Sequence, residues 1–242
     1  MERKERMFDV NDSIEVYRTY RHGDLPALKA SEWVKGNLWR LSHLPLREEI
    51  IIDACCGGGL KSCMAALLGA SMVIGVDSSF SAIEAARNLS SSLGVSDQCV
   101  FKEGRIENFE IKRADGVIFT AALHHITEWE TVLESLASAA GKWMYLDWLK
   151  PMTGFFMKNR FCNLLPLSYR MKAGKRLFGK NDARYNIMAL SDGSFFADRY
   201  CSLYKMVSKR RVRNILTRAG LTSIYSNSFG ECHRLMAIRT RD

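Results

Sequence analysis

The chain lacks the regularly spaced cysteines and histidines that hold metal ions in proteins. It contains no CxxC and no HExxH, and its seven cysteines repeat at no spacing typical of metal ligands. We therefore predict no metal site and expect the cysteines to be free thiols. A redox role for the adjacent Cys55 and Cys56 is the alternative, and it has little support in the pattern.

Long apolar runs are also missing. No stretch reaches the roughly 18 apolar residues that a membrane span requires, and the charged start MERKERMFDV has no apolar signal core. These absences predict a cytoplasmic protein. The chain also has no internal repeats and no low-complexity linkers. With 242 residues, 47% of them hydrophobic, it is predicted to form one domain with embellishments around a real core.

Acidic residues are in short supply. The chain has 35 Lys and Arg against 26 Asp and Glu, which gives a net charge of +9. Such a balance is typical of proteins that meet nucleic acid, a membrane surface or an anionic substrate, and also of ordinary basic enzymes. Because the basic residues are scattered rather than gathered in one module, nucleic acid is the least favoured of these partners.

The segment Ile51 to Leu60, IIDACCGGGL, is the most informative that the chain does contain. An apolar run with the acid Asp53 near its end predicts a buried strand. A glycine-rich turn follows at once, and then a helix-forming run over residues 61–68. Strand, glycine turn and helix in this order form a nucleotide-binding crevice in open α/β sheets, because glycine lets the backbone approach a ligand closely.

Further strand and helix patterns alternate downstream. A second strand, MVIGVDS, ends in Asp77, which lies 24 residues after Asp53 and is placed to accept hydrogen bonds from ribose hydroxyls. Alternating β and α units predict a parallel sheet covered on both faces. The remaining predicted strands are 100–102, 116–120, 143–146, 222–225 and 234–239, and the predicted helices are 26–41, 79–93, 129–139 and 207–220.

Four motifs, IIDACCGGGL, VIGVDSS, FKEGRIENF and ADGVIFTAALHHI, resemble in order and spacing those of the class I S-adenosylmethionine-dependent methyltransferases. The fit is best to the small-molecule branch that includes the quinone-biosynthesis enzymes. The resemblance implies a doubly wound, mostly parallel seven-stranded sheet (Rossmann-like), with helices on both faces and an antiparallel edge strand. It divides one domain into a helical lid (1–45), a cofactor-binding core (49–150), a substrate-cover insert (151–205) and a closing helix and strand pair (206–242).

The resemblance also implies a cofactor, S-adenosylmethionine, and the residues that bind it. These are Asp53, Cys55, Gly57, Gly59, Asp77, Ser78, Arg105, Ile106, Thr120 and Ala121. Two positions depart from the family pattern. Cys55 replaces a glycine, and the turn then survives if this residue has φ < 0. Arg105 replaces an acid and cannot accept a hydrogen bond, so adenine is left to backbone groups, stacking or Glu107.

Several residues have two interpretations. His124 and His125 are the candidate catalytic residues, as a general base or as positioning groups. Asp53 contacts the amino group of the cofactor's methionine moiety, directly or through water, or it holds the glycine turn. Asp147 ends the fifth strand and either reaches the substrate or is an ordinary exposed acid.

The insert is basic as well as apolar, since residues 154–180 contain seven Lys or Arg and no acid. It covers a substrate pocket, contacts a membrane surface or a lipophilic substrate, or is purely structural. The predicted function is methyl transfer to a small molecule, either lipophilic or anionic. The alternatives are an RNA methyltransferase, although TAALHHI lacks the proline-rich motif of adenine-N6 enzymes, and a homologue that uses S-adenosylmethionine for other chemistry.

Overall fold

A computed structural model describes residues 27–149, 187–189, 195–197, 202–204, 207–227 and 232–240, with side chains at 34–148, 207–227 and 232–240. The strands are β1 (Ile50–Ala54), β2 (Met72–Asp77), β3 (Cys99–Glu103), β4 (Ala114–Thr120), β5 (Ala140–Leu149), β6 (Ile187–Ala189), β7 (Phe195–Ala197), β8 (Ser202–Tyr204), β9 (Leu221–Asn227) and β10 (Cys232–Arg239). The α-helices are α1 (Ala27–Leu41), α2 (Leu60–Leu67), α3 (Phe80–Ser92), α4 (Trp129–Ala139) and α5 (Lys209–Arg218).

The main sheet has seven strands in the order β3-β2-β1-β4-β5-β10-β9. β1 pairs in parallel with β2 on one side and β4 on the other, and β2 pairs in parallel with β3. The pair β9–β10 is antiparallel. The strand order therefore reverses between β1 and β4, which is where open α/β sheets bind ligands. The predicted fold class, a doubly wound and mostly parallel seven-stranded sheet with an antiparallel edge, is confirmed.

The helices largely follow the predicted patterns. In α5 the apolar stripe of Val212, Ile215 and Leu216 is buried as predicted. Ser208 occupies the N-cap position of this helix, but its side chain makes no capping hydrogen bond. In contrast, the Ser79 hydroxyl at the start of α3 accepts a hydrogen bond from the Ala82 N–H at 3.3 Å. A serine thus precedes both helices, but only Ser79 makes a capping hydrogen bond.

The chain divides into two compact units that interleave in sequence. The first comprises residues 1–119 and 138–144, and the second comprises 120–137 and 145–242. The core of the first includes Ile51, Met64 and Ile83, and that of the second includes Leu133 and Trp148, all at most 1% exposed. The predicted division into lid, cofactor core, insert and closing elements remains a prediction.

The second unit contains a further sheet that the sequence patterns did not predict. Strands β6, β7 and β8 pair in antiparallel fashion in that order. They lie within the predicted substrate-cover insert, whereas its basic segment, residues 154–180, lies outside the described residues. So do residues 1–26 of the predicted helical lid. Among the described helices none is both long and apolar enough to cross a membrane.

Candidate cofactor and active site

The turn after β1 is built by three residues in the left-handed region of backbone conformation. Cys55, Gly57 and Gly59 have φ values of 57°, 54° and 74°. Two backbone hydrogen bonds fix the turn, from the Cys56 N–H to the Val76 carbonyl at 3.0 Å and from the Gly59 N–H to the Cys56 carbonyl at 3.1 Å. The chain thus reverses tightly at the carboxyl end of β1 and enters α2.

Gly59 is required by packing within the protein. A Cβ atom added here would lie 2.6 Å from the Cβ of Ala86 and 3.0 Å from a ring carbon of Phe101. The space that a side chain at Gly59 would need is therefore filled by α3 and β3. Whether Gly59 also contacts the cofactor through its backbone remains a prediction.

Cys55 adopts a left-handed conformation that favours glycine. Its φ of 57° does not meet the condition φ < 0 under which the turn was expected to survive, yet the turn forms. The left-handed conformation costs a residue with a Cβ about 1–2 kcal/mol. Burial, together with the nearby carboxylates of Asp77, Asp53 and Glu107, raises the pKa of the Cys55 thiol. Since the thiolate is the reactive form, this environment argues against redox chemistry at Cys55.

Asp77, the last residue of β2, links the turn after β1 to the start of α3. One carboxylate oxygen accepts the Gly57 N–H at 2.8 Å, and the other accepts the Ser79 N–H at 3.0 Å. The side chain therefore holds the glycine turn and the start of α3 together. An ionised carboxylate offers about four acceptor sites, so two remain for other donors. Asp77 is half-buried and the adjacent Ser78 is exposed, which leaves both residues open to a ligand.

Asp53 is buried at the end of β1, with 2% of its surface exposed. The hydroxyl of Ser62 in α2 donates a hydrogen bond to its carboxylate at 2.6 Å. Burial raises the pKa of Asp53 to about 6, against the opposing effect of the Ser62 hydrogen bond. Ser62 is a residue that the sequence analysis missed, although a serine in the first turn of the helix after an acid-ending strand is the signal. The bond supports a structural role without excluding a ligand contact.

Arg105 and Glu107 form an ion pair after β3. The guanidinium donates to the Glu107 carboxylate at 2.9 Å, with the Arg105 side chain 67% exposed and that of Glu107 22% exposed. Burial acts to raise the pKa of Glu107, but the Arg105 hydrogen bond and charge outweigh it and the pKa is lowered. Ile106 between them is buried. Glu107, which remains ionised, is thus an acceptor beside this segment, as the adenine alternative requires.

The turn after β4 begins with another left-handed residue. Ala121 has a φ of 57°, and its N–H is shared between the backbone carbonyl of Asp147 at 3.0 Å and the Asp147 carboxylate at 2.8 Å. Thr120, just before it, is buried. Asp147, near the end of β5, therefore holds this turn in place. Neither interpretation of Asp147, as a substrate contact or as an ordinary exposed acid, had predicted this role.

His124 and His125 lie in a short 3-10 helix, Leu123–His125, that follows this turn. Their ring centroids are 4.1 Å apart. His124 is 2% exposed, and burial, with a smaller effect of His125, lowers its pKa to about 3. His124 is thus neutral at neutral pH and is a weak base. His125 is less enclosed than His124, since it is half-buried.

The insert approaches the same short helix. Strand β8 has Cα atoms within 8 Å of those of Leu123–His125. Part of the predicted substrate-cover insert thus lies beside the candidate catalytic residues. No group of His, Cys, Asp and Glu residues in the described part of the chain is arranged to hold a metal ion.

The residues at the ends of β1, β2 and β3 fit S-adenosylmethionine. A carboxylate with unused acceptor sites suits ribose hydroxyls, and the acids Asp53 and Glu107 suit an ammonium group and an adenine amine. The turn at Cys55–Gly59 brings backbone close to the space above the strands, as a nucleotide-like ligand requires.

Comparison with known proteins defines the class. Residues 46–175, more than half of the chain, match the model of the methyltransferase domain family. The chain belongs to this family, which confirms the prediction of a class I S-adenosylmethionine-dependent methyltransferase and of S-adenosylmethionine as its cofactor.

Particular relatives share parts of the chain. A probable protein arginine N-methyltransferase 6 of Arabidopsis thaliana is 30% identical over 43% of this chain and 24% of its own length. The ribosomal protein L11 methyltransferase of Tolumonas auensis is 33% identical over 42% of this chain and 34% of its own length. The chain therefore matches only about a quarter to a third of the length of these curated relatives.

Solved structures share the fold across nearly the whole chain. The magnesium protoporphyrin IX methyltransferase of Synechocystis PCC 6803, solved with bound S-adenosylhomocysteine, superposes with a TM-score of 0.63. It is 20% identical, and the match covers 93% of this chain and 94% of that one. At this identity the likeness establishes the fold.

Proposed function

We propose that this protein transfers a methyl group from S-adenosylmethionine to a small-molecule acceptor. The observation that carries the proposal is the glycine turn held by Asp77, with Asp77 retaining free acceptor sites at the end of β2. Bound S-adenosylmethionine supplies a methyl group already activated on a sulfonium. The protein's own task is then to bind, align and exclude water, and a strong base is not essential.

The residues that bind the cofactor lie at the ends of several strands, and each contacts a different part of it. Asp77 and Ser78 bind the ribose, and Asp53 binds the amino group or orders the turn that does. Ile106 packs beside the adenine, Glu107 accepts its amine, and Arg105 holds Glu107 in place through the ion pair at 2.9 Å. His125 is the better placed of the two histidines to meet an acceptor, because it is half-buried whereas His124 is enclosed.

A small-molecule acceptor is supported by the insert. Its strand β8 runs beside Leu123–His125, which is the arrangement expected of a cover over a substrate. The sequences of β6 and β7, IMA and FFA, are wholly apolar. We therefore favour an acceptor with a lipophilic part. The segment 154–180 adds the proposal of peripheral contact with an anionic membrane, which vesicle sedimentation that is reversed by salt would test.

Protein methylation is the second candidate, because the partial relatives named above are protein methyltransferases. An arginine side chain is recognised by carboxylates that accept its planar donors. The loop Thr120–Thr127, TAALHHIT, contains no acid, and Asp147, which binds this loop, does so by accepting the Ala121 N–H. These features favour a small molecule over arginine.

RNA is disfavoured by charge pairing on α5. Arg211 and Arg218 in this helix form ion pairs with Glu130 and Glu134 of α4, at 2.6 Å and 2.7 Å. These two arginine side chains are therefore paired within the protein, which makes them less available to phosphates.

A transfer assay with methyl-labelled S-adenosylmethionine tests the proposal. Cell extract is separated into polar metabolite, lipid, protein and RNA fractions, and each is incubated with the wild type or with Asp77→Ala. We expect label in a metabolite or lipid fraction with the wild type alone. Label in protein supports the second candidate, label in RNA supports the third, and no label in any fraction with a protein that binds the cofactor would indicate other chemistry.

A further inference from the structure

Ala121 is held in an unfavourable conformation by one neighbouring residue. A φ of 57° is uncommon for a residue with a Cβ and stores strain. Both acceptors that take its N–H belong to Asp147, the backbone carbonyl at 3.0 Å and the carboxylate at 2.8 Å. A charge-assisted hydrogen bond is about twice as strong as a neutral one, so the carboxylate is well suited to offset this strain.

The conformation of Ala121 decides where the following residues lie. The short helix that carries both histidines contains a backbone hydrogen bond from the His125 N–H to the Ala122 carbonyl, at 2.7 Å. Leu123 and His124 are buried within it. Because the buried pair cannot shift alone, a change of φ at Ala121 would move the whole Leu123–His125 helix, including the half-buried His125.

We propose that Asp147 is a positioning residue, whose carboxylate fixes the Ala121 turn and through it the placement of His125 and of the cofactor contacts at Thr120 and Ala121. This inference rests on the proposed function for its effect on ligand binding. It also makes a claim about the protein alone, that removing the carboxylate reorients the turn. Asp147 does not touch the reacting atoms in this scheme.

Graded substitutions and an internal rescue test the proposal. Asp147→Ala should weaken S-adenosylhomocysteine binding about tenfold, and Asp147→Asn, which keeps a neutral acceptor, should weaken it about threefold. Glycine adopts φ > 0 without a Cβ penalty, so adding Ala121→Gly to Asp147→Ala should restore affinity to within about threefold of the wild type. Calorimetry gives the affinities, and the NMR ring signals of His125 report the turn without ligand.

Asp115→Ala is the matched control. Asp115 also accepts a strand N–H through its carboxylate, that of Ile50 at 2.9 Å, but at the amino end of β1 and β4. Its loss should lower stability while leaving S-adenosylhomocysteine affinity and the His125 signals unchanged. A purely structural Asp147 would behave in the same way as Asp115.

The outcomes separate the two claims. Moved His125 signals in Asp147→Ala that return in the double variant support the positioning role, even if the wild type binds no S-adenosylhomocysteine and the proposed function fails. Unmoved signals and unchanged affinity in Asp147→Ala overturn it. If Asp147→Ala does not fold, Asp147→Asn with and without Ala121→Gly carries the same comparison, and no difference between them and the wild type overturns the inference.

Discussion

The turns after β1 and β4 begin alike and are held by different means. Each starts with a residue other than glycine at a φ of 57°, Cys55 in the first and Ala121 in the second. Each is fixed by an aspartate at the end of another strand, Asp77 of β2 or Asp147 of β5. The first turn adds two glycines at positive φ, whereas the second has none and leads directly to a buried histidine.

The two turns therefore suit different tasks. Glycines let the backbone turn at low cost, and at Gly59 the missing side chain also leaves room for Ala86 and Phe101. The turn after β4 instead has no glycine and is held by both the backbone carbonyl and the carboxylate of Asp147, which suits precise placement of His125. The same strained φ thus occurs in a glycine-rich turn bound by Asp77 and in a glycine-free turn bound by Asp147.

The largest effect is expected at Gly59. Gly59→Val should destabilise the protein by roughly 2–5 kcal/mol, because overlap with Ala86 adds to the strain of a positive φ. Urea unfolding would measure the loss. If Gly59 were needed only to let a ligand come close, Gly59→Val would leave the stability of the protein unchanged.

A matched pair isolates the cause at Gly59. Gly69 also has a positive φ, 102°, but a Cβ there meets Arg47 only at ordinary distances, 3.7 Å and beyond. Gly59→Ala should therefore destabilise more than Gly69→Ala, and Ala86→Gly should recover part of the difference. Equal losses in the two alanine variants would show that the overlap is unimportant.

The buried titrating groups beside the two turns should give opposite pH dependences. The pKa of Asp53 is raised from 3.8 to about 6, so its contribution to stability is full below pH 3.8 and is lost as the pH rises through 6. The pKa of His124 is lowered from 6.5 to about 3, so its contribution is full above pH 6.5 and is lost as the pH falls toward 3.

Substitution should reveal each contribution. Asp53→Asn should stabilise the protein at pH 7.5 by on the order of 2 kcal/mol. At pH 5 the wild type should lose stability of a similar order through His124, and His124→Gln should remove this loss. Unfolding curves across pH would measure both. Parallel pH profiles for wild type and variants would contradict the assigned environments. A fall in cofactor affinity in Asp53→Asn, despite higher stability, would favour the ligand contact over the purely structural interpretation.

A moderate effect is expected for His125→Ala. Turnover should fall about tenfold with the acidic limb of the pH–rate profile intact, because displacement from a sulfonium depends chiefly on alignment. A general base contributes roughly 10²–10⁴-fold. A loss beyond about a thousandfold together with a vanished acidic limb would make His125 the base.

The smallest effects are expected at the two strained residues themselves. Cys55→Gly and Ala121→Gly should each stabilise the protein by about 0.5–1 kcal/mol, since relief of the left-handed strain exceeds the entropy cost of glycine. Thermal unfolding would measure both. Destabilisation by either change would show that the side chain contributes packing that outweighs the strain.

The sequence predicted the features that depend on local patterns. Apolar runs ending in Asp53 and Asp77, a glycine turn and alternating helices were enough for the strands β1 to β4 and for the fold class. β5 is longer than predicted at both ends: it runs over Ala140–Leu149 and begins directly after α4 ends at Ala139.

Features that depend on distant contacts were missed. The packing of Gly59 against Ala86 joins residues far apart in the chain, and the bond between Ala121 and Asp147 spans 26 positions. The positive φ of Cys55 could not be read from composition, which does not reveal that the Asp77 carboxylate accepts the N–H of Gly57, two residues later. The short strands β6 to β8 have only three residues each, too few for a period to be read.

Calorimetric titration with S-adenosylhomocysteine tests the central claim most directly. The wild type should bind at one site. Asp77→Ala should bind roughly 30–150-fold more weakly, since a charge-assisted contact worth about 2–3 kcal/mol is lost, and it should also be less stable because Gly57 and Ser79 lose their acceptor. The Asp115→Ala control should keep wild-type affinity. Absence of binding to the wild type, or equal affinity in Asp77→Ala, would contradict the assignment of this crevice as the cofactor site.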